Sequence, residues 1–323
     1  MVVAVLLALY CVFAALALPR LLGRAAWADR APRLAIVLWQ AASASAVVSA
    51  LLAVFAVVVP ASLVGHGLAG LFDACMALVE VCAELLNDPS APNAAAAGAG
   101  LAAGGLVLAR LAYAGGAVLL GARRERRRHA GALALLGRHD DGLGATVVDY
   151  EERIAYCVPG RRGQAVITTG ALRSLAPPQV AAVLAHERAH LRGRHHLVLA
   201  AAESLTRAFP RVPLFERART EIGRLVELLA DDMAARHHPR DQLAAALVRL
   251  ATGRAPAFAL GAGGETALER VRRMLHPQPP LERRERVTGL LAVASLLAGP
   301  AALAAAPAVS AFLAHHCHAL LTL

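Results

Sequence analysis

The sequence predicts a multi-span membrane protein with a small α+β domain set between its third and fourth apolar spans, on three observations. Apolar residues make up 58% of the 323 residues and the mean hydropathy is +0.53, too apolar for an ordinary soluble globule. Four long apolar stretches approach the ~20 residues that cross a bilayer. The block between the third and fourth is charged, and reads as short strands followed by helices, the pattern of an α+β domain.

The spans are expected at about 2–18, 34–59, 99–121 and 287–314. This divides the chain into a membrane domain 1–122, a domain 123–286, and a last span with a short tail, 287–323. The third span is rich in Gly and Ala, which lets helices approach closely in lipid. Its 98–116 stretch suits packing within one chain or between two, so a homo-oligomer stays open. In the fourth, Gly299, Pro300 and Pro307 are expected kink sites. The first stretch lacks the basic start, short apolar core and small-residue cleavage site of a removed signal, and reads as a retained span.

Charge sets the expected orientation. Arg20, Arg24, Arg30 and Arg33 follow the first span against a single Asp29. Residues 60–93 carry Asp73, Glu80, Glu84 and Asp88 and no Arg. Arg123, Arg124 and Arg126 to Arg128 follow the third span, and Arg283, Arg284 and Arg286 precede the fourth. Basic loops stay in the cytoplasm. The N- and C-termini are thus expected outside and 123–286 inside the cell membrane. A helix over 68–86 is expected on the outer surface, because a fifth span there would bury Asp73, Glu80 and Glu84.

The chain carries +10 net charge, all 33 basic residues being Arg. Such a charge would suit nucleic acid. The arginines cluster beside apolar spans, however, where topology and anionic lipid call for them. Membrane lipids are therefore expected as partners, and no direct nucleic acid. An all-Arg, Ala-rich composition points to a GC-rich bacterial genome. The five Cys, at 11, 75, 82, 157 and 317, form no Cys-x-x-Cys pair, so neither a disulfide scaffold nor a thiolate metal site is indicated.

Within 123–286, strands are expected at 146–150, 154–158 and 164–169, with a turn at Pro159 and Gly160. Helices follow at 178–193, 195–208, 213–237, 241–252 and about 265–275, and Pro277 to Pro280 close the domain as a stiff linker. The first of these helices contains His186-Glu187-Arg188-Ala189-His190. Two His at i and i+4 share a helical face and can hold one Zn²⁺, with Glu187 beside it as proton acceptor. A catalytic zinc takes three protein ligands and keeps one position for water. Glu227 is the best candidate for the third. Asp231, one turn later on the same face, would bond a ligand His and fix its tautomer. Glu221 is a rival ligand without such a partner. Zinc lowers the pKa of its water toward about 7, and Glu187 would accept the proton and return it to the leaving amine. His195, His196 and Tyr156 are candidate substrate or oxyanion donors. His237 and His238 read as a helix end before Pro239, and His315, His316 and His318 as interfacial residues.

Pro159-Gly160, the strand Ala165 to Gly170, Val183 to His190, and Glu227-x-x-Ala-Asp231 resemble the BlaR/MecR-type membrane metallopeptidases. HtpX-like proteases are their near relatives. The resemblance covers about 145–275 and the placement of three spans before and one after. It implies a gluzincin-like zinc metallopeptidase domain with one Zn²⁺ per chain, held by His186, His190 and Glu227, with Glu187 catalytic. It also implies regulated proteolysis of a cytoplasmic BlaI/MecI-type repressor. The sensor transducers carry a penicillin-binding domain after the fourth span, whereas this sequence runs only to Leu323. Two alternatives stay open: an HtpX-like quality-control protease, and a non-enzymatic signalling scaffold. An intramembrane protease is disfavoured, since Arg188, Arg192 and Arg194 flank the motif and are costly in lipid.

Overall fold

The computed structural model describes residues 2–25, 27–58, 94–160, 163–251 and 263–321, with 76, 79 and 83; for 94, 263–266 and 307–321 the backbone alone. The helix expected at 68–86 lies outside them, apart from those three positions.

Among the described residues, three helices are long and apolar enough to cross a membrane: Pro32–Val58, Ala95–Leu136 and Arg283–Ala306. Each lies within a longer or equal helix, α3 Pro32–Val58, α4 Ala94–Leu136 and α11 Arg283–Leu321. The first expected span is shorter. Helix α1, Val2–Leu16, extends only about 22 Å at 1.5 Å per residue. After Ala17 the chain turns into α2, Leu18–Leu22. The interruption falls where Pro19 has no N–H to offer the Ala15 carbonyl. Helix α4 continues well past the expected end of the third span, carrying Arg123 to Arg128 out to Leu136. Helix α11 runs on through Pro300 and Pro307.

The chain then builds β1 Gly137–Asp140, β2 Ala145–Val148, β3 Ala155–Val158 and β4 Gln164–Thr168. The sheet order is β1-β2-β4-β3. Strands β2 and β4 are parallel, and the other two pairs antiparallel. Strand β3 is thus an edge. Helix α5, Thr169–Ser174, begins where the Thr168 hydroxyl accepts from the Ala171 N–H at 3.2 Å. Helix α6, Pro177–Arg192, starts with proline in its first turn, and the Gln179 side chain accepts from the Ala176 N–H at 3.1 Å. Helices α7 His195–Ala208, α8 Pro213–Ala234, α9 Arg240–Ala251 and α10 Gly263–Leu275 follow. They lie within one to three residues of the helices expected from the pattern.

Two cores position the site. One lies between the sheet and α6, where Val147, Ala165, Ile167, Val180, Val183 and Leu184 meet. The largest core joins the apolar helices to α7 and α8: Ile36, Trp39 and Ala42 of α3 pack with Leu214, Phe215, Ile222 and Leu225 of α8. The Arg110 Nε of α4 donates to the carbonyl of Ala208, at the end of α7, at 2.8 Å. Helix α8 is therefore clamped between the long apolar helices on one side and α6 on the other.

Candidate metal centre

Helix α6 presents small residues, Ala182, Ala185 and Ala189, to its neighbours, and all are buried. Small side chains let α8 approach closely enough for one acidic residue to meet two His of α6. The His186 Nε2 and His190 Nε2 are 3.0 Å apart. Glu227 of α8 places Oε2 at 3.5 Å from the first and Oε1 at 3.5 Å from the second. A tetrahedral ion with bonds of ~2.1 Å needs ligand atoms about 3.4 Å apart. These three donors fit zinc, and a group of ligand atoms lying within 4.8 Å of one another singles out the same residues. Glu221 instead pairs with Arg224 at 3.2 Å, so the alternative third ligand is not brought to the histidines.

The rings are held from behind. Asp231, 2% exposed, lies with Oδ1 2.9 Å from His186 Nδ1, which leaves Nε2 facing the cluster. The imidazole of His195 performs the equivalent task for His190, their Nδ1 atoms being 3.1 Å apart. Asp231 is gripped in turn by Arg270 of α10, with Nε at 2.8 Å and Nη2 at 2.7 Å, and Arg270 Nη1 reaches Glu227 Oε2 at 3.1 Å. This two-pronged guanidinium geometry is the strong form of a charge-assisted pair. Arg188 of the motif points away and donates to the Leu143 carbonyl, pinning the β1–β2 turn to α6.

Electrostatics divide these groups. Burial opposes a charge on His186, but Asp231 and Glu227 outweigh it and raise its pKa to about 10. Burial pushes His190 down to about 4, with His186, His195 and Arg270 adding to the effect against Glu227. Burial also opposes ionisation of Glu227, yet His186, Arg270 and His190 hold it well below the usual carboxylate range. Glu187 moves the other way, raised by burial and by Glu227 against His186, Cys157 and Arg270. Burial and the facing Glu187 push the Cys157 thiol up to about 12, so the thiol stays protonated opposite the carboxylate.

Arg270, Cys157 and the orienting role of His195 have no local signature in the sequence. Successive residues of a strand point to opposite faces. Cys157 meets Glu187, while Tyr156 meets His129 of α4 with ring centroids 6.2 Å apart. His196 lies near Arg126 and Arg194, which together with burial depress its pKa. His195 stands behind His190, with its Nδ1 turned to the Nδ1 of that ring.

Residues 120–212 match the model of Peptidase family M48. The matched stretch contains the sheet and His186 to His190 and stops before Glu227. No curated protein and no solved structure is matched by the chain. The M48 match supports metallopeptidase activity and zinc as the metal. The matched stretch is under a third of the chain, which among its described residues also carries three helices long and apolar enough to cross a membrane.

Two predictions arise here. At pH 7 His186 is protonated, His190 neutral and Glu227 ionised, by the shifts above. A zinc ligand must give up its proton. Zinc binding is therefore expected to release about one proton per chain, from His186. Calorimetric titration in buffers of different ionisation enthalpy measures this, and a value near zero would contradict the Asp231–His186 electrostatics. Secondly, a Cβ on Gly193 would come within 2.3 Å of His195 Nε2. Gly193→Ala is expected to cost about 1–3 kcal/mol through overpacking, and to weaken zinc binding as His195 leaves His190. A chelator competition alongside thermal unfolding checks both.

Proposed function

We propose that the chain is a membrane-anchored zinc endopeptidase of the M48 kind, with its active site on the cytoplasmic side. The observation that carries this reading is the convergence of His186, His190 and Glu227 with Glu187 next to them on the same helix. Zinc, when bound, supplies an acidified water and polarises the scissile carbonyl. Glu187 takes the proton of the attacking water and delivers it to the leaving amine. Its raised pKa suits both directions of that transfer. His195 and Asp231 keep the two ligand rings oriented.

The edge strand β3 is the proposed substrate platform. Its outer backbone groups are not used by β4, and an extended peptide can add there as a further strand. Ala155→Pro removes one outward N–H from β3, because Ile154 is bonded across to Thr168 and the outward-facing residues alternate with it. It is expected to impair cleavage while zinc stays bound; unimpaired cleavage would remove β3 from the mechanism.

The cytoplasmic placement rests on the basic residues flanking the spans. It is supported by the turn after α2 lying against the start of α11, through Arg30 and Glu285, and against α8, through Asp29 and Arg224. For substrate, we favour a BlaI/MecI-type repressor, because the sequence resemblance to BlaR/MecR-type peptidases extends to the order of spans and domain. Strand addition reads backbone more than side chains, which favours the second reading, quality control of unfolded proteins in the manner of HtpX-like enzymes. The test is digestion by the full chain in nanodiscs of such a repressor and of unfolded casein. Selective cleavage of the repressor supports the first reading, casein cleavage the second. Cleavage of neither by the zinc-loaded chain would turn the site into a scaffold.

A further inference from the structure

The turn between α2 and α3 is tied to the helix that carries Glu227. The turn is a short 3₁₀ segment, Ala28–Arg30. The Asp29 carboxylate lies 2.8 Å from Arg224 Nη1 of α8, and Arg224 precedes Glu227 by three residues, about one helical turn. The Asp29 carbonyl accepts from Arg273 Nε of α10 at 3.0 Å. The two remaining nitrogens of Arg273 donate to Asp232 at 2.8 and 2.7 Å. One turn earlier on α10, Arg270 grips Asp231 and reaches Glu227. Adjacent acids on α8 are thus held by two arginines of α10. One pair leads to the turn, the other to the metal ligands.

We infer that Asp29 is a positioning residue for the metal centre, through which movement of the first apolar helices changes how firmly zinc is held. All three nitrogens of Arg273 are engaged at once, by groups on two separate parts of the chain. Their directions are fixed by the planar guanidinium, so Arg273 satisfies both partners only while the turn and α8 keep their present spacing. Arg224 is likewise fixed on α8 by Glu221, with Nε and Nη2 both 3.2 Å from Oε2. A displaced turn takes the Asp29 carboxylate from Arg224 and the Asp29 carbonyl from Arg273, and so loosens α8 and α10 where they flank Glu227. The other tie of the turn, Arg30 to Glu285, runs to α11 and bypasses α8 and α10, which makes it an internal control. The Asp29 side chain is 43% exposed, so its removal costs little global stability.

The inference takes the metallopeptidase reading for what the site does, but its test reads metal binding. The full chain in nanodiscs is titrated with zinc against a chromogenic chelator, with melting temperature and peptide cleavage measured in parallel. Asp29→Ala is expected to weaken zinc about three- to ten-fold, less than the 10–100-fold of groups that touch the ligands. Arg273→Lys, which offers one nitrogen for three acceptors, is expected to weaken it similarly, and Arg30→Ala to leave it unchanged. Wild-type zinc affinity in both Asp29→Ala and Arg273→Lys would overturn the inference. So would an equal loss in Arg30→Ala, since that would reflect general loosening. If the variants lose zinc as expected while even the wild type cleaves nothing, the positioning role stands and the peptidase reading falls.

Discussion

Glu187→Gln is expected to leave zinc bound and to lower peptide cleavage by about 10²–10⁴-fold, the contribution of a positioned general base. Gln matches Glu in shape, so α6 and the His186 and His190 positions should be undisturbed. The amide accepts no proton from water, however, and offers none to a leaving amine. Because Glu187 is not one of the converging ligand atoms, the loss should fall on kcat with the zinc content unchanged. A fluorogenic peptide assay with metal quantified in both proteins measures it. Residual activity within about ten-fold of wild type would assign the proton transfer to another group.

Asp231→Ala is expected to have the largest effect on the fold around the site. Asp231 is 2% exposed and contacts both His186 Nδ1 and the Arg270 guanidinium. Removing it leaves Arg270 without its main anion in a buried place, a loss of about 3–5 kcal/mol for breaking such a pair from one side. Zinc affinity should fall about 10–100-fold, because His186 loses the partner that orients its ring. His186 should also lose part of its raised pKa, since Asp231 is the first group that lifts it against burial. Fewer protons are then released on binding zinc. A second substitution separates the two consequences. With Arg270→Leu added, the buried charge is gone and stability should recover in part, while zinc affinity should not. Recovery of both would show that Asp231 acts on the metal only through the fold.

Much of this site is legible in the sequence. The HERAH spacing places His186 and His190 on one face by helical periodicity alone, and the i+4 acid separates Glu227 from Glu221. The structure brings the first three together and leaves Glu221 on Arg224. Strands β2 to β4 and helices α6 to α10 also follow from local pattern. Strand β1 was not legible because Gly137-Arg138-His139-Asp140 is polar and does not alternate; it forms by pairing with β2. The short α5 was hidden in a run of Thr and Gly that reads equally as strand. The first span was read as longer than α1 because hydropathy does not register the interruption at Pro19.

What the sequence determined by itself are features set by near neighbours in the chain. These are the apolar lengths of α3, α4 and α11, the order of strands and helices, and the motif that presents two imidazoles and a carboxylate from one helix. What only the tertiary structure decided are the meetings between residues far apart in the chain. Arg270 stands 39 residues from Asp231 and carries no local pattern that would mark it among 33 basic residues. Asp29 and Arg273, 244 residues apart, meet because α8 is packed against α3 by an apolar core that has no preference for which charges it brings to its rim. Burial fixes the distance between helices, and that distance then decides which carboxylate each guanidinium can reach.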